Sequence, residues 1–158
     1  MGRDEDISDH SASINNDRFK QIVNRSPAVV FLWRVAEGWP VEFVSDNVQR
    51  FGYTPEDFTS GRVSWVGVTH PDDVPRLESE VSRHIEAGRD TFRQEYRIFA
   101  ADGSVVWIED HTRAVRGNHG ELTHFEGILL DITERHNAKQ RAREYQRELR
   151  AMASEIAL

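Results

Sequence analysis

Apolar residues recur along this chain with the two periods that distinguish strands from helices. Five segments are rich in β-branched and aromatic residues or alternate in polarity, and turn signals bound each of them: 29–35, 41–45, 91–99, 105–115 and 122–130. Asp102-Gly103 is a strong hairpin signal between the third and fourth segments. The sequence therefore predicts an α+β fold, in which short helices cover one face of a five-stranded antiparallel sheet.

The segment between the second and third strands carries helical patterns. His70-Pro71-Asp72-Asp73 places a proline and two acids where a helix starts, and this predicts the longest internal helix, running to about Ala87. Its predicted buried stripe has spacings of three and four: Val74, Leu77, Val81 and Ile85. Residues 61–68, around Trp65, are predicted to form a loop, and Gly127 marks a bulge or a close approach in the last strand.

The two ends of the chain differ in pattern from its middle. Residues 1–17 are polar and acidic, which predicts a flexible tail, and Asp17 is placed to cap a short helix that ends before Ser26-Pro27. A globular domain is predicted over 18–133 and a separate helix over 134–158. Asp131, Ile132 and Thr133 join the last strand to this helix and are predicted to pass a change in the domain to it.

The final helix shows a period of seven. Its apolar positions alternate in spacing between four and three: Ala138, Ala142, Tyr145, Leu149, Met152 and Ile156. We call these six residues the seam. A seam of this kind predicts a coiled coil and hence a homodimer, and the alternative is a helix that packs on its own domain.

Composition narrows the function. The chain has 158 residues, a net charge of -7 and no cysteine, which disfavours nucleic acid as a partner and excludes disulfides and thiolate metal sites. The absence of cysteine fits a cytoplasmic location, and no apolar run is long enough to predict membrane contact. We find no nucleophile elbow, phosphate loop or paired-histidine zinc helix, so we expect a protein that is not an enzyme. His111, His119 and His124 lack the spacing of metal ligands, and no metal site is predicted.

Large side chains on the predicted strands and helices are candidates for lining a cavity between the two layers: Phe31, Trp33, Phe43, Phe51, Phe58, Trp65, Tyr96, Ile98 and Phe125. A cavity with such walls and a few polar groups would hold a small molecule. A core that is simply filled by these residues is the alternative.

Six motifs in this order resemble the PAS domain family: Phe43-Val44-Ser45-Asp46-Asn47, Phe51-Gly52-Tyr53-Thr54-Pro55-Glu56-Asp57, His70-Pro71-Asp72-Asp73, Glu95-Tyr96-Arg97-Ile98, Asp102-Gly103-Ser104-Val105-Val106-Trp107 and Gly127 through Arg135. The resemblance covers residues 18–135 and is closest to the branch with the His-Pro-Asp-Asp helix start and the Asp-Ile-Thr junction. It implies a sensory or interaction module of prokaryotic signalling proteins, usually dimeric. Such modules precede a histidine kinase, a transducer, a cyclase or a transcriptional output domain.

Three functions stay open at this point. The first is a sensor module that binds a small ligand or partner and relays the change through the junction to an output domain of the same parent chain. The second is a dimerisation or interaction module without a ligand. The third follows from the resemblance: His84 lies close to where haem-binding relatives place an axial histidine, so a haem-based gas sensor is possible. The cofactor is therefore unknown; noncovalent flavin stays open, and the absence of cysteine excludes a covalent flavin sensor.

Overall fold

A computed structural model describes residues 4–157. The helices are α1 Asp4–Arg25, α2 Pro55–Thr59, α3 Trp65–Val68, α4 Val74–Glu86 and α5 Thr133–Ile156, with a 3-10 helix at Asp46–Phe51. The strands are β1 Val29–Arg34, β2 Val41–Val44, β3 Thr91–Phe99, β4 Val105–Arg116 and β5 Leu122–Asp131.

The five strands form one antiparallel sheet in the order β2-β1-β5-β4-β3. The last strand in the chain lies at the centre of this sheet, between β1 and β4. Short helices lie over one face, so the predicted α+β architecture is confirmed. Because β5 leads directly into α5, the C-terminal helix starts from the middle of the sheet rather than from its edge.

Strand alternation decides which side chains face the helices. Phe31 and Trp33 of β1, Tyr96 of β3 and Leu129 of β5 all have less than a twentieth of their surface exposed. On the inward-facing side of β4, the aliphatic Ile108 is followed by the polar side chains of Asp110 and Thr112. The inner face of β4 is therefore aliphatic near its start, at Val106 and Ile108, and polar in its middle, at Asp110 and Thr112.

The predicted loop over residues 61–68 contains one turn of helix, α3, which the sequence interpretation missed. Ser64 caps α3 by accepting a hydrogen bond from the Gly67 N–H over 2.8 Å. This cap and the burial of Trp65 against the sheet hold a helix too short to show a periodic pattern. Helix α3 brings Trp65 over the sheet.

Helix α4 begins and ends close to the predicted positions, but its stripe is only partly buried. None of its residues is fully buried. Leu77, Val81 and Ile85 are partly buried and pack on the edge of the core. A helix that rested directly on the sheet would bury this stripe completely. The space left under α4 is the cavity described below.

Helix α1 begins at Asp4 rather than after Asp17, so residues 4–16 are helical and the start predicted at Asp17 is wrong. No proline or glycine interrupts residues 4–25, and polar side chains alone do not stop a helix. Residues 1–3 of the predicted tail lie outside the described residues. The boundaries of the predicted tail, domain and C-terminal helix stay predictions.

Candidate functional site

A cavity of about 70 Å³ lies between the inner face of the sheet and helices α3 and α4. Its lining consists mainly of aromatic and aliphatic side chains, with a few polar ones: Trp33, Trp39, Trp65, Val66, Thr69, Val74, Leu77, Glu78, Val81, Phe92, Gln94, Tyr96, Asp110, Thr112 and Phe125. This volume is far less than the ~300–1,000 Å³ typical of cofactor-sized sites.

Aromatic rings surround the cavity and contact one another. The ring centroids of Trp33 and Trp65 are 5.8 Å apart, and those of Trp65 and Tyr96 are 6.4 Å apart. On the other side, Phe125 lies 5.2 Å from Trp39 and 6.2 Å from Phe92. These tilted and edge-to-face arrangements fix the ring orientations, so the walls of the cavity are preformed.

The polar part of the cavity is centred on Asp110. Its Oδ2 accepts a hydrogen bond of 2.6 Å from the Tyr96 hydroxyl, and its Oδ1 accepts one of 3.0 Å from the Thr112 hydroxyl. Burial raises the pKa of Asp110 from 3.8 to about 6, although both hydroxyls act to lower it. Burial, followed by the charge of Asp110, raises the pKa of Tyr96 well above its usual value. The hydroxyls hold the carboxylate in place without neutralising its charge.

Gly127 lets the Trp33 ring lie against the sheet. A Cβ at Gly127 would be 2.3 Å from Cζ3 of Trp33 and 3.1 Å from Oδ1 of Asp110, so no larger residue fits without a shift. The register of β5 is regular at this position, and the predicted close approach therefore applies rather than the bulge. The indole N–H of Trp33 is buried and has no acceptor within the part of the chain that the structure describes.

The predicted cavity residues occupy three different environments. Trp33, Trp65, Tyr96 and Phe125 line the cavity. The second group is buried in the core but not in the lining: Phe31, Phe51, Phe58 and Ile98. Phe43 is 47% exposed, and its assignment to the cavity is wrong. It pairs with Leu32 of β1, and this phase of both strands faces away from the helices.

His84 does not line the cavity. Its ring stacks on Phe92 at a centroid distance of 4.7 Å, and its Nδ1 lies 3.3 Å from Nη1 of Arg89. It is therefore not placed to bind a haem iron within this cavity. Among residues 15–157, whose side chains the structure describes, no group of three or more His, Asp or Glu side chains is arranged to hold a metal ion.

Sequence reasoning missed the polar lining residues, above all Asp110. Gln94 has a further role, because its side chain donates to the Leu77 carbonyl and to Glu80, both over 3.2 Å, and thereby ties β3 to α4. Strand alternation could have identified these residues. Gln94 points to the same face of β3 as Tyr96, and Asp110 and Thr112 point to the same face of β4 as Ile108.

The junction between β5 and α5 is closed by a compact set of hydrogen bonds. Asp131 Oδ1 accepts from the N–H and the hydroxyl of Thr133, over 2.9 and 2.6 Å. The Thr133 hydroxyl oxygen in turn accepts from the Trp107 N–H over 2.9 Å, and the Ile132 N–H donates to the Trp107 carbonyl over 2.8 Å. Both strands adjoining the junction, β4 and β5, are therefore bonded to the first residues of α5.

Side chains continue this connection from α5 back to α4. The His136 ring of α5 stacks on the Trp107 ring at a centroid distance of 3.8 Å. The Arg97 guanidinium also lies over the Trp107 ring, 5.4 Å from its centroid. Arg97 donates to both carboxylate oxygens of Asp73, over 2.7 and 3.0 Å, immediately before α4. These bonds hold the pKa of Asp73 below its usual value. Asp73 stands at the predicted start of α4, and its carboxylate binds Arg97 there.

A second contact holds α5 to the sheet. Arg135 Nη2 lies 2.6 Å from Oε2 of Glu109, and His111 Nε2 lies 2.7 Å from the other oxygen, Oε1. Hydrogen bonds, first from Arg135 and then from His111, lower the pKa of Glu109. Beyond this first turn the side chains of α5 are exposed, and Tyr145, Met152 and Ile156 of the seam have 62%, 54% and 85% of their surface free.

A single sheet with helices over one face, a small cavity between the layers and a helix leaving the central strand define a PAS-type domain. The model of the PAS fold family matches residues 41–129, and the chain belongs to this family. No helix among the described residues is long and apolar enough to span a membrane.

Similar proteins include sensors from archaea and bacteria. A methyl sulfide methyltransferase-associated sensor of Methanosarcina acetivorans is 45% identical over 90% of this chain, and the two-component sensor PprA of Pseudomonas aeruginosa is 26% identical over 87%. The chain spans 14% and 15% of the lengths of these proteins. A solved sensory box histidine kinase/response regulator structure from Burkholderia thailandensis is 26% identical, with a TM-score of 0.67 over 85% of this chain and 98% of that one.

Proposed function

We propose that the chain is a sensory module of a larger prokaryotic signalling protein, of the histidine kinase or transducer type. It binds a small ligand in the cavity between α4 and the sheet and passes the resulting change to α5. The output domain lies in the same parent chain, and binding and relay, not catalysis, are the activity of this segment. The sensors among its relatives support this assignment.

The observation that carries the proposal is the path of contacts from α4 to α5. Helix α4 roofs the cavity, and Asp73 at its start is bonded to Arg97. Arg97 lies over Trp107, whose other contacts are His136 and Thr133 at the beginning of α5. A ligand that favours one position of α4 therefore changes the position of the Arg97 side chain. Because Arg97 contacts Trp107, this change reaches the first turn of α5. Transmission requires that the ligand bind two arrangements with different affinity.

The exposed seam supports a second part of the proposal. Apolar side chains along one face of α5 have no partner within the described residues, whereas a parallel coiled coil with a second copy would cover them. In such a homodimer, a shift at the first turn of each α5 changes the packing along the whole seam. The junction residues Asp131, Ile132 and Thr133 are the point at which the shift enters the coiled coil.

Hydrogen–deuterium exchange on the complete chain tests the relay. A thermal-shift screen of small molecules first supplies a binder, because a ligand of the native state raises the melting temperature. We expect this binder to slow exchange in α4 and to change it in residues 133–137. Arg97→Met is expected to keep the first effect and lose the second. Arg113→Met, which removes an exposed arginine paired with Glu126 far from the path, is the matched control.

Two results would contradict the relay. In one, the binder slows exchange in α4 but leaves residues 133–137 unchanged in the unmodified chain. In the other, Arg97→Met transmits the effect as well as Arg113→Met does. A chain that binds nothing in the screen yet forms a stable dimer would instead be a dimerisation module without a ligand.

A further inference from the structure

The charges that face the cavity are all of one sign. Asp110 and Glu78 contribute carboxylates to the lining, whereas none of its residues is a lysine, arginine or histidine. Within the described residues no basic side chain forms an ion pair with Asp110. A site with this balance attracts positively charged molecules and repels carboxylates and phosphates.

We propose that the cavity binds a small alkylated ammonium ion, with its charge against the Asp110 carboxylate and its alkyl groups against the aromatic rings. This rests on the proposed function in placing the ligand of the sensor in this cavity, and it adds the chemical class of that ligand.

The environment of Asp110 favours a cationic occupant. A carboxylate buried in an apolar site is costly unless it is paired, and the Tyr96 and Thr112 hydroxyls supply one neutral hydrogen bond to each of its oxygens. A carboxylate has about four acceptor positions, so further positions remain for a charged partner. Burial leaves the pKa of Asp110 at about 6, and the carboxylate is therefore mostly ionised at neutral pH.

The rings select an organic cation over a metal ion. Ca²⁺ takes six to eight oxygen ligands and Mg²⁺ six, which this mostly apolar lining does not offer. Aromatic faces attract cations electrostatically, tryptophan most strongly, and aromatic cages are the known binding mode for quaternary ammonium groups. Two of the three tryptophans lie beside the bonded pair of Asp110 and Tyr96: Trp33 lies against Gly127 next to Asp110, and Trp65 contacts Tyr96.

The size and the walls indicate why the ammonium should carry alkyl groups. Each N–H of a primary ammonium needs an acceptor, and the apolar walls provide few. Methyl groups instead bury apolar surface against the rings while the charge stays close to Asp110. The volume of about 70 Å³ restricts the ligand to a small head group. Glu78 is exposed at the surface of α4 and adds negative potential on the solvent side of the cavity.

Calorimetric titration of the complete chain with tetramethylammonium and choline tests the proposal, and 3,3-dimethyl-1-butanol serves as the uncharged analogue of choline. Tryptophan fluorescence provides a second readout, because three tryptophans line the cavity. We expect choline to bind at least about tenfold more tightly than the alcohol, which is the effect of one desolvated charge contact. Asp110→Asn should weaken choline binding by at least about tenfold and leave binding of the alcohol unchanged.

Asp72→Asn is the matched control, because it removes one carboxylate from the exposed start of α4 without touching the cavity. It should bind choline like the unmodified chain. If Asp110→Asn does not fold, Trp39→Leu takes its place; Trp39 is only partly buried and supplies one wall. That variant should weaken the binding of tetramethylammonium more than the binding of the alcohol.

Equal affinity for choline and the alcohol would overturn the proposed ligand class while keeping a small-ligand sensor. Failure of the unmodified chain to bind either ammonium ion would also overturn the ligand class. Binding of tetramethylammonium with no change of hydrogen exchange in residues 133–137 would support the ligand class and contradict the relay. The two proposals therefore fail in distinguishable ways.

Discussion

The Tyr96 hydroxyl donates a hydrogen bond of 2.6 Å to a carboxylate oxygen of Asp110, and both side chains are buried on the inner face of the sheet. The pair joins β3 to β4 at the wall of the cavity. It combines a group that strongly prefers to stay protonated with a carboxyl group whose pKa lies at about 6.

This pair predicts how stability depends on pH. The pKa of Asp110 is higher in the folded chain, about 6, than its ordinary value of 3.8, so between these values the folded chain binds a proton that the unfolded chain has released. The contribution of Asp110 to the free energy of unfolding therefore falls as pH rises from about 4 to 6. The two-unit shift corresponds to about 3 kcal/mol across this window.

Urea unfolding of the unmodified chain and of Asp110→Asn, measured from pH 4 to 8, checks this prediction. Asn keeps the size of the side chain and can bond to the Tyr96 and Thr112 hydroxyls, but it cannot ionise. The difference in stability between the two proteins should shift by about 3 kcal/mol in favour of the variant as pH rises. Asp73 and Glu109 titrate in both proteins and cancel in the difference. A difference that is independent of pH would contradict the buried, ionisable state of Asp110.

Gly127→Ala is expected to destabilise the fold by about 1–3 kcal/mol, because overpacking a well-packed site costs about this much. The new methyl group would lie 2.3 Å from the Trp33 ring and would push it into the cavity. Thermal or urea unfolding measures the loss, and tryptophan fluorescence reports the ring movement. Glu126→Ala, at the exposed neighbouring position on β5, should cost less than about 1 kcal/mol. Equal stability of the two variants would show that the ring is free to move aside.

The regular elements were predictable because local patterns specify them. All five strands and the Asp102-Gly103 turn lie where the sequence places them, and α2 begins after Thr54. Thr54 and Asp57 form a reciprocal capping box, a purely local interaction. Helix α3 and the early start of α1 were missed, since the first is too short for a period and the second is too polar for an apolar stripe.

The cavity was harder to predict than the strands that form it. Alternation along β4 predicts two faces but does not identify the inner one, because Ile108 shares a face with Asp110 and Thr112 while Trp107 lies on the other. In the sequence, a polar residue that is buried on the inner face of a strand cannot be distinguished from one that is exposed to solvent. The distinction requires the position of the neighbouring strand. Trp39 lies in a turn, where periodicity says nothing about burial. Only the pairing of β4 with β3, which sets Tyr96 opposite Ile108 and Gln94 opposite Asp110, brings the site together.

Thr133→Val is expected to loosen the junction between β4 and α5. The Thr133 hydroxyl accepts from the Trp107 N–H and donates to Asp131, and valine replaces it with a methyl group of the same shape. Loss of the acceptor should cost about 1–3 kcal/mol of stability. Amide hydrogen exchange at Trp107 should accelerate in this variant. Thr133→Ser retains the hydroxyl and should keep Trp107 protected, so equal protection in both variants would contradict the role of the hydroxyl.

Leu149→Asp is expected to convert a dimer of the chain into a monomer. Leu149 lies in the seam with nearly half of its surface exposed, and a parallel coiled coil would bury it against a second copy at the same level. Two carboxylates facing each other at this core position would repel and would have to lose their hydration, which the exposed monomer avoids. Ser154→Asp adds the same charge on the opposite side of α5 and should leave the dimer intact. Sedimentation velocity over a range of concentrations distinguishes the three proteins. An unmodified chain that sediments as a monomer at every concentration would contradict the dimer, and equal dissociation by both substitutions would show that general charge repulsion, not the seam, controls assembly.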